Sequence, residues 1–200
     1  MNTLETLLRR IAVILDEKHQ RWALVGGLAV SVRTEPRFTR DLDMAVAVRD
    51  DNAAEKLIYM LHGTGFYTFA TVEHEATNRL ATARLTPSNT PSQGLVLDLL
   101  FASSGIEAEV CEAAEELMVF PDLTIPVASL HYLMILKVLS REDRTRPQDV
   151  ADLRQLIAAA QPADLTAACD AGQLIEQRGF NRDRDLVRAM RDAWQEFRMA

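Results

Sequence analysis

Apolar positions recur along this chain with two different periods. From residue 3 to 19, Leu4, Leu7, Leu8, Ile11 and Leu15 follow the helical period, with Arg9, Arg10, Asp16, Glu17 and Lys18 mostly opposite. Trp22-Ala23-Leu24-Val25 is a short apolar run stopped by Gly26-Gly27, which predicts a buried strand, a tight turn and a short helix over Leu28–Val32. Pro36 ends that helix, because a proline disfavours helical geometry in the residue before it. Asp41–Val48 predicts a second strand, and Asp50-Asp51-Asn52 caps a helix from about Ala53 to His62. Phe66–Val72 and Leu80–Leu85 predict two strands, Thr86–Gly94 a loop, and Leu95–Phe101 the most apolar strand. Glu107–Glu116 reads as a solvated helix face. From Ser129 the pattern turns helical: Ser129 caps a helix through Leu139, Pro147 or Gln148 opens one to about Ala160, and Asp164–Gln177 and Asn181–Met199 follow. The expected fold is mixed α/β (α+β), a sheet with flanking helices and then a helical half, with the seam near Pro121–Ser129.

Composition narrows the class. The chain has 200 residues, 48% apolar and 26% charged, which suits an ordinary globular protein and excludes a disordered or fibrous chain. Its net charge of −7 argues against a general nucleic-acid coat, though not against a local basic groove. Cys111 and Cys169 stand in no disulfide or metal spacing, and no apolar run is long enough to span a bilayer. The first residues lack a basic stretch followed by an apolar one, so a cytoplasmic location without membrane contact is expected.

Three carboxylates occupy positions where a strand should carry apolar side chains. Asp41 and Asp43 are two apart and share a face of their strand, and Asp98 interrupts Val96-Leu97 and Leu99-Leu100. Taken singly, each has a structural alternative: Asp41 as a strand-entry group paired with Arg40, Asp98 as a satisfied core carboxylate. Together, converging acids repel unless a divalent cation lies among them, and hard oxygen ligands suit Mg²⁺ beside phosphate oxygens. Gly26-Gly27 adds a turn whose backbone N–H groups can cradle phosphate. His19, His62, His74 and His131 show no metal spacing, and Ser103-Ser104 lacks the elbow of a serine hydrolase. The Trp194 and Phe197 stripe reads as packing.

Gly26-Gly27, then Arg37-Phe38-Thr39-Arg40-Asp41-Leu42-Asp43, then Leu97-Asp98-Leu99 together resemble the nucleotidyltransferase fold of the DNA polymerase β superfamily. More narrowly, the chain resembles the AbiEii/AbiGii-type nucleotidyltransferases, many of them toxins of type IV toxin–antitoxin pairs. Lys137-Val138-Leu139-Ser140-Arg141 and Asp149-Val150-Ala151-Asp152-Leu153 extend the resemblance to about residue 157. Two departures stand out: Gly27 replaces the serine usual in the wider superfamily, and Gln148 precedes Asp149 where a basic residue is common, with Arg146 nearby.

The resemblance implies a catalytic unit over residues 1–125, a helical unit over 126–200, and transfer of NMP from an NTP to a hydroxyl. Asp41 and Asp43 would hold Mg²⁺ on the triphosphate, while Asp98 completes a second metal site and helps deprotonate the acceptor. Gly26, Gly27, Arg37, Thr39, Arg40, Lys137, Arg141 and Asp152 would form the nucleotide site. Lys137 interrupts an apolar helix and points at a cleft or an edge, Arg141 lies one turn on, and Asp149 and Asp152 cap, pair with arginines or position other groups. The acceptor would be a tRNA 3′ end, another RNA, a protein hydroxyl or a small molecule, with an antitoxin as separate partner. The competing readings are a non-catalytic module of the same fold and an unrelated α/β protein whose acids lie far apart. With two Mg²⁺ the formal charge moves from −7 to about −3, so part of the acidic excess belongs to the site itself.

Overall fold

The computed structural model describes residues 3–87, 94–141 and 147–198. Helix α1 (Thr3–Glu17) buries Leu4, Leu7, Leu8, Ile11 and Leu15 as its period predicts. Arg9 ties it down, donating to Glu5 at 2.8 Å and to the Pro121 carbonyl. Strand β1 (Trp22–Val25) is buried throughout and runs straight into α2 (Gly26–Arg33), so the paired glycines form the first turn of the helix itself. Then follow β2 (Asp41–Val46) and α3 (Asp51–Gly63), whose N-cap Asp50 accepts the Ala53 N–H at 2.9 Å.

Strands β3 (Phe66–His74), β4 (Arg79–Pro87) and β5 (Val96–Leu100) complete one end of the sheet. Thr86 and Pro87 thus belong to a strand rather than to the expected loop, of which residues 88–93 lie outside the described ones. Helix α4 (Glu107–Glu112) is followed by β6 (Glu115–Phe120) and β7 (Leu123–Val127). This hairpin corrects the reading of Glu107–Glu116 as one solvated helix face. Glu107 is buried because its carboxylate accepts the Ser103 and Ser104 N–H groups and the Ser104 hydroxyl, at 2.8, 2.7 and 2.9 Å. The hairpin turns at Asp122, in the left-handed region at φ 59°.

The seven strands order as β3-β4-β5-β2-β1-β7-β6. β1 is antiparallel to β2, β2 parallel to β5, and β5 antiparallel to β4, so the middle of the sheet is mixed. β7 crosses the expected unit boundary at 125/126 and pairs Val127 with Leu24 in parallel. Helices α5 (Leu130–Ser140), α6 (Pro147–Ala159), α7 (Pro162–Gln177) and α8 (Leu186–Arg198) pack on one another. α2 joins the layers: it contacts β1 and β2 on one side and α5 and α6 on the other.

The last helix starts later than its period suggested. Residues 181–185 form an irregular turn in which Asn181 donates to the Arg184 carbonyl at 2.8 Å, and Arg182 and Asp183 adopt φ of 54° and 57°. Arg184 then fastens this turn to the end of α5, donating to the Val138, Leu139 and Arg141 carbonyls. These bonds serve C-terminal carbonyls that a helix cannot satisfy itself.

Candidate active site

Pairing across the sheet places the unusual side chains in one row. Arg84 on β4 pairs with Asp98 on β5, Asp98 pairs with Asp43 on β2, and Asp43 pairs with Val25 at the end of β1. Cross-strand partners share a face, so two carboxylates stand directly opposite each other, an arrangement that costs stability by itself. Asp41, two residues earlier on β2, joins the same face. All three acids line a single cleft of about 1080 Å³.

Their electrostatics follow from this crowding. Burial pushes the Asp43 carboxyl up to about 7 from 3.8; Asp98 and then Asp41 add repulsion, while Lys137 and the Gly27 N–H pull it back. Asp98 is also raised, first by burial, with Arg84 opposing and Asp41 reinforcing the shift. Asp98 Oδ1 is buried and accepts no hydrogen bond among the described residues. Oxygen-only donors with mutual repulsion and an unpartnered buried oxygen fit a hard divalent cation. Among the described residues, no three His, Cys, Asp or Glu side chains are grouped as a ready-made metal site.

Gly26 makes the close approach of β2 possible. It adopts φ of 66°, and a Cβ placed there would overlap the Asp43 carboxylate. Gly27 sits beside the end of the Arg37 side chain, which a Cβ there would displace. The start of α2 carries no side-chain cap, leaving first-turn N–H groups available to an anion, although Gly27 N–H already serves Asp43. Gly26→Ala is expected to cost about 2 kcal/mol or more through the left-handed backbone alone. Chemical denaturation checks this, and a change below about 0.5 kcal/mol would contradict it.

The basic residues are organised by one acid. Asp152 on α6, fully buried, accepts Arg37 Nε–H and Nη2–H, both at 2.7 Å, and Lys137 Nζ lies 2.9 Å away. Burial works to raise Asp152, but the hydrogen bonds from Arg37 and Lys137 outweigh it and hold the carboxyl below its usual range. Lys137 also donates to Asp149 at 2.7 Å, and Ser140 bonds the other Asp149 oxygen. Thr39 lines the cleft with its hydroxyl on the Asp41 carbonyl.

Three of the expected nucleotide-site groups do not line the cleft: Arg40, Arg141, and Asp152, which is fully buried beneath Arg37 and Lys137. Arg40 lies over the exposed Phe38 ring at 5.6 Å. Arg141 follows the end of α5 with ψ of 123°, so it leaves the helical face of Lys137 and packs against Phe197, 3.9 Å from Glu196. Arg146 lies outside the described residues. Conversely, Arg84, Arg182 and Asp183 line the cleft without any sequence signal for that placement, and His74, which the sequence offers only as a histidine without metal spacing, lies there too. The cue for Arg84 in the sequence is a charged residue inside an alternating strand, whereas its register against Asp98 is a property of the β4–β5 pairing.

The model of the family described as Nucleotidyl transferase AbiEii toxin, Type IV TA system, matches residues 6–200. The chain belongs to this family. It is a nucleotidyltransferase, and the mixed sheet agrees with the fold that the family resemblance implied. This AbiEii-family chain also resembles solved structures at the level of fold. ANT(2″)-Ia in complex with adenylyl-2″-tobramycin is 17% identical, with 100% of both chains covered and a TM-score of 0.54. An antigenic nucleotidyltransferase-like protein from Paracoccidioides brasiliensis is 18% identical, with 94% of this chain and 92% of that one covered and a TM-score of 0.52. Comparison with curated proteins gave no match. No helix among the described residues is long and apolar enough to cross a membrane.

Proposed function

We propose that this AbiEii-family chain transfers NMP from an NTP to the terminal hydroxyl of a tRNA or another RNA, releasing pyrophosphate, as a toxin controlled by a separate antitoxin. The observation that carries this reading is the row Asp98–Asp43–Val25 running into Gly26-Gly27, inside one cleft with Lys137. Asp41, Asp43 and Asp98 would hold Mg²⁺, two ions by family resemblance, which supplies charge neutralisation on the phosphates and acidifies the attacking hydroxyl.

The chain's own groups divide the remaining work. The uncapped start of α2 binds phosphate oxygens through backbone N–H groups. Lys137 and Arg37 place positive charge where the departing pyrophosphate gains negative charge. Asp152 keeps both cations in place from beneath, and Asp149 holds Lys137 from its other side. Asp98, besides completing the metal site, helps to deprotonate the acceptor hydroxyl.

A small-molecule acceptor is the second reading, favoured by Glu73, Glu75 and Asp183 on the far wall, which suit an amine-bearing molecule. Incubation with each labelled NTP, Mg²⁺ and total tRNA tests the first; a parallel incubation with aminoglycosides tests the second. Wild-type protein is expected to label tRNA and Asp43→Ala to label none. Labelling of neither acceptor, or equal labelling by the variant, would sink the mechanism.

A further inference from the structure

The sheet face that carries the acids continues past the cleft. Arg84 on β4 pairs with Asp98, and beyond it stands β3, at the end of the strand order. There Val72 pairs with Thr82, Ala70 with Arg84 and Tyr67 with Thr86. Cross-strand partners share a face, so Tyr67 and Val72 stand on the side of Asp43 and Asp98. The register slips between Thr68 and Ala70, which leaves Phe69 as the extra residue of a bulge opposite Arg84. Bulges beside active sites serve to re-aim a side chain.

Tyr67, Phe69 and Val72 are 61%, 56% and 47% exposed. A sheet edge open to water ordinarily carries polar or charged groups. The other side of this strand does so, with Thr68 and Thr71 beside α3. The apolar groups thus gather on the catalytic side, where solvation alone would not put them. Three strand spacings of about 4.8 Å separate β3 from Asp43, about 14 Å in all. About four stacked nucleotides, at about 3.4 Å each, cover that distance. Arg84, half exposed and 3.2 Å from Asp98, places positive charge between the aromatic strand and the acids.

We propose that Tyr67 and Phe69 form a stacking platform for the single-stranded end of an RNA acceptor, leading its terminal hydroxyl to the acids. Every base has a π face that an aromatic ring on a sheet can stack, so the platform guides the strand without reading its sequence. This deepens the reaction proposed above and rests on an RNA acceptor. The platform is continuous with the cleft through the row Ala70–Arg84–Asp98–Asp43. A protein strand docking on the edge would instead bond the β3 backbone.

A short fluorescein-labelled oligoadenylate and total tRNA are the probes. The proteins are wild type and the double variants Tyr67→Ala with Phe69→Ala, Tyr67→Leu with Phe69→Leu, and Tyr67→Phe with Phe69→Tyr. Anisotropy reads oligoadenylate binding without NTP, labelling of tRNA reads kcat and KM, and thermal unfolding and light scattering read fold and oligomeric state. The alanine and leucine pairs are both expected to weaken oligoadenylate binding and raise KM for tRNA about 10–100-fold. KM for the NTP and the unfolding midpoint should stay nearly unchanged, since both side chains are exposed. The swapped aromatics should bind as wild type does, because either ring stacks.

A leucine pair that binds like wild type would overturn the inference, because the face would then be an apolar contact rather than a stacking one. So would an alanine pair that binds both RNAs normally, a wild type that binds neither, or a change from dimer to monomer in the variants, which marks a contact between copies. Labelling of tRNA by every variant with unchanged KM removes the platform and leaves the reaction intact. Loss of oligoadenylate binding in a protein that transfers nothing to tRNA keeps the platform and removes the reaction.

Discussion

Asp43→Asn is expected to abolish transfer and, with metal removed by chelation, to stabilise the protein. The activity loss should reach at least about 10²–10³-fold, the scale of removing a principal electrostatic group from a reacting centre. The stability gain follows from linkage. Folding raises the Asp43 carboxyl from 3.8 to about 7, so the protonated form is favoured in the fold. Its contribution is therefore fully present below pH 3.8 and is lost as pH rises through 7. About three pH units correspond to roughly 4 kcal/mol at most, and partial exposure of Asp43 reduces this to about 2–4. The asparagine side chain of the variant carries no charge, so its advantage should be small at pH 4 and grow to a plateau above pH 7. Denaturant titrations of both proteins in chelator across this range check it. An advantage that does not grow with pH would show that the carboxylate is not strained in the free protein.

Asp152→Ala should act in the opposite direction. It leaves the Arg37 and Lys137 cations beside a buried void, and removal of one partner of a buried pair costs about 3–5 kcal/mol. Arg37 and Lys137 keep 20% and 12% of their side-chain surface, so the lower end, about 3 kcal/mol, is expected. For a chain of this length that lowers Tm by about 6–12 °C. The sign with pH also reverses: the folded Asp152 carboxyl is held below 3.8, so its contribution is present above that pH and fades in stronger acid. The penalty of Asp152→Ala should accordingly shrink as pH falls below 3.8. A loss under about 1 kcal/mol at neutral pH would mean that the two cations find equivalent partners elsewhere.

These two acids show how unevenly the site could be read from sequence. Asp43 was legible because it breaks an apolar strand in phase with Asp41, and two residues apart on a strand means one face whatever the fold. Asp152 was visible only as a polar position on a helix, with capping, pairing and positioning all open. Which cation it would meet depended on how α6 lies against α2 and α5. Arg141 misled for a related reason: spacing put it on the face of Lys137, but the helix ends at Ser140 and the following backbone carries it toward α8. The β6–β7 hairpin was missed because Pro126 and flanking acids obscure its alternation, while its partner β1 lies far away in the chain.

By itself, the sequence determined what short-range physics controls. It determined the helical and strand periods, the break of the first strand at Gly26-Gly27, the shared face of Asp41 and Asp43, and an oxygen-rich chemistry suited to phosphate and a hard cation. Only the tertiary structure decided which charges meet. Register set Asp43 opposite Asp98 and Arg84 beyond it, and packing of α5 and α6 on α2 gathered Lys137 and Arg37 around Asp152. The reason is that periodicity is a property of neighbours along the chain, whereas an ion pair depends on the relative placement of whole elements.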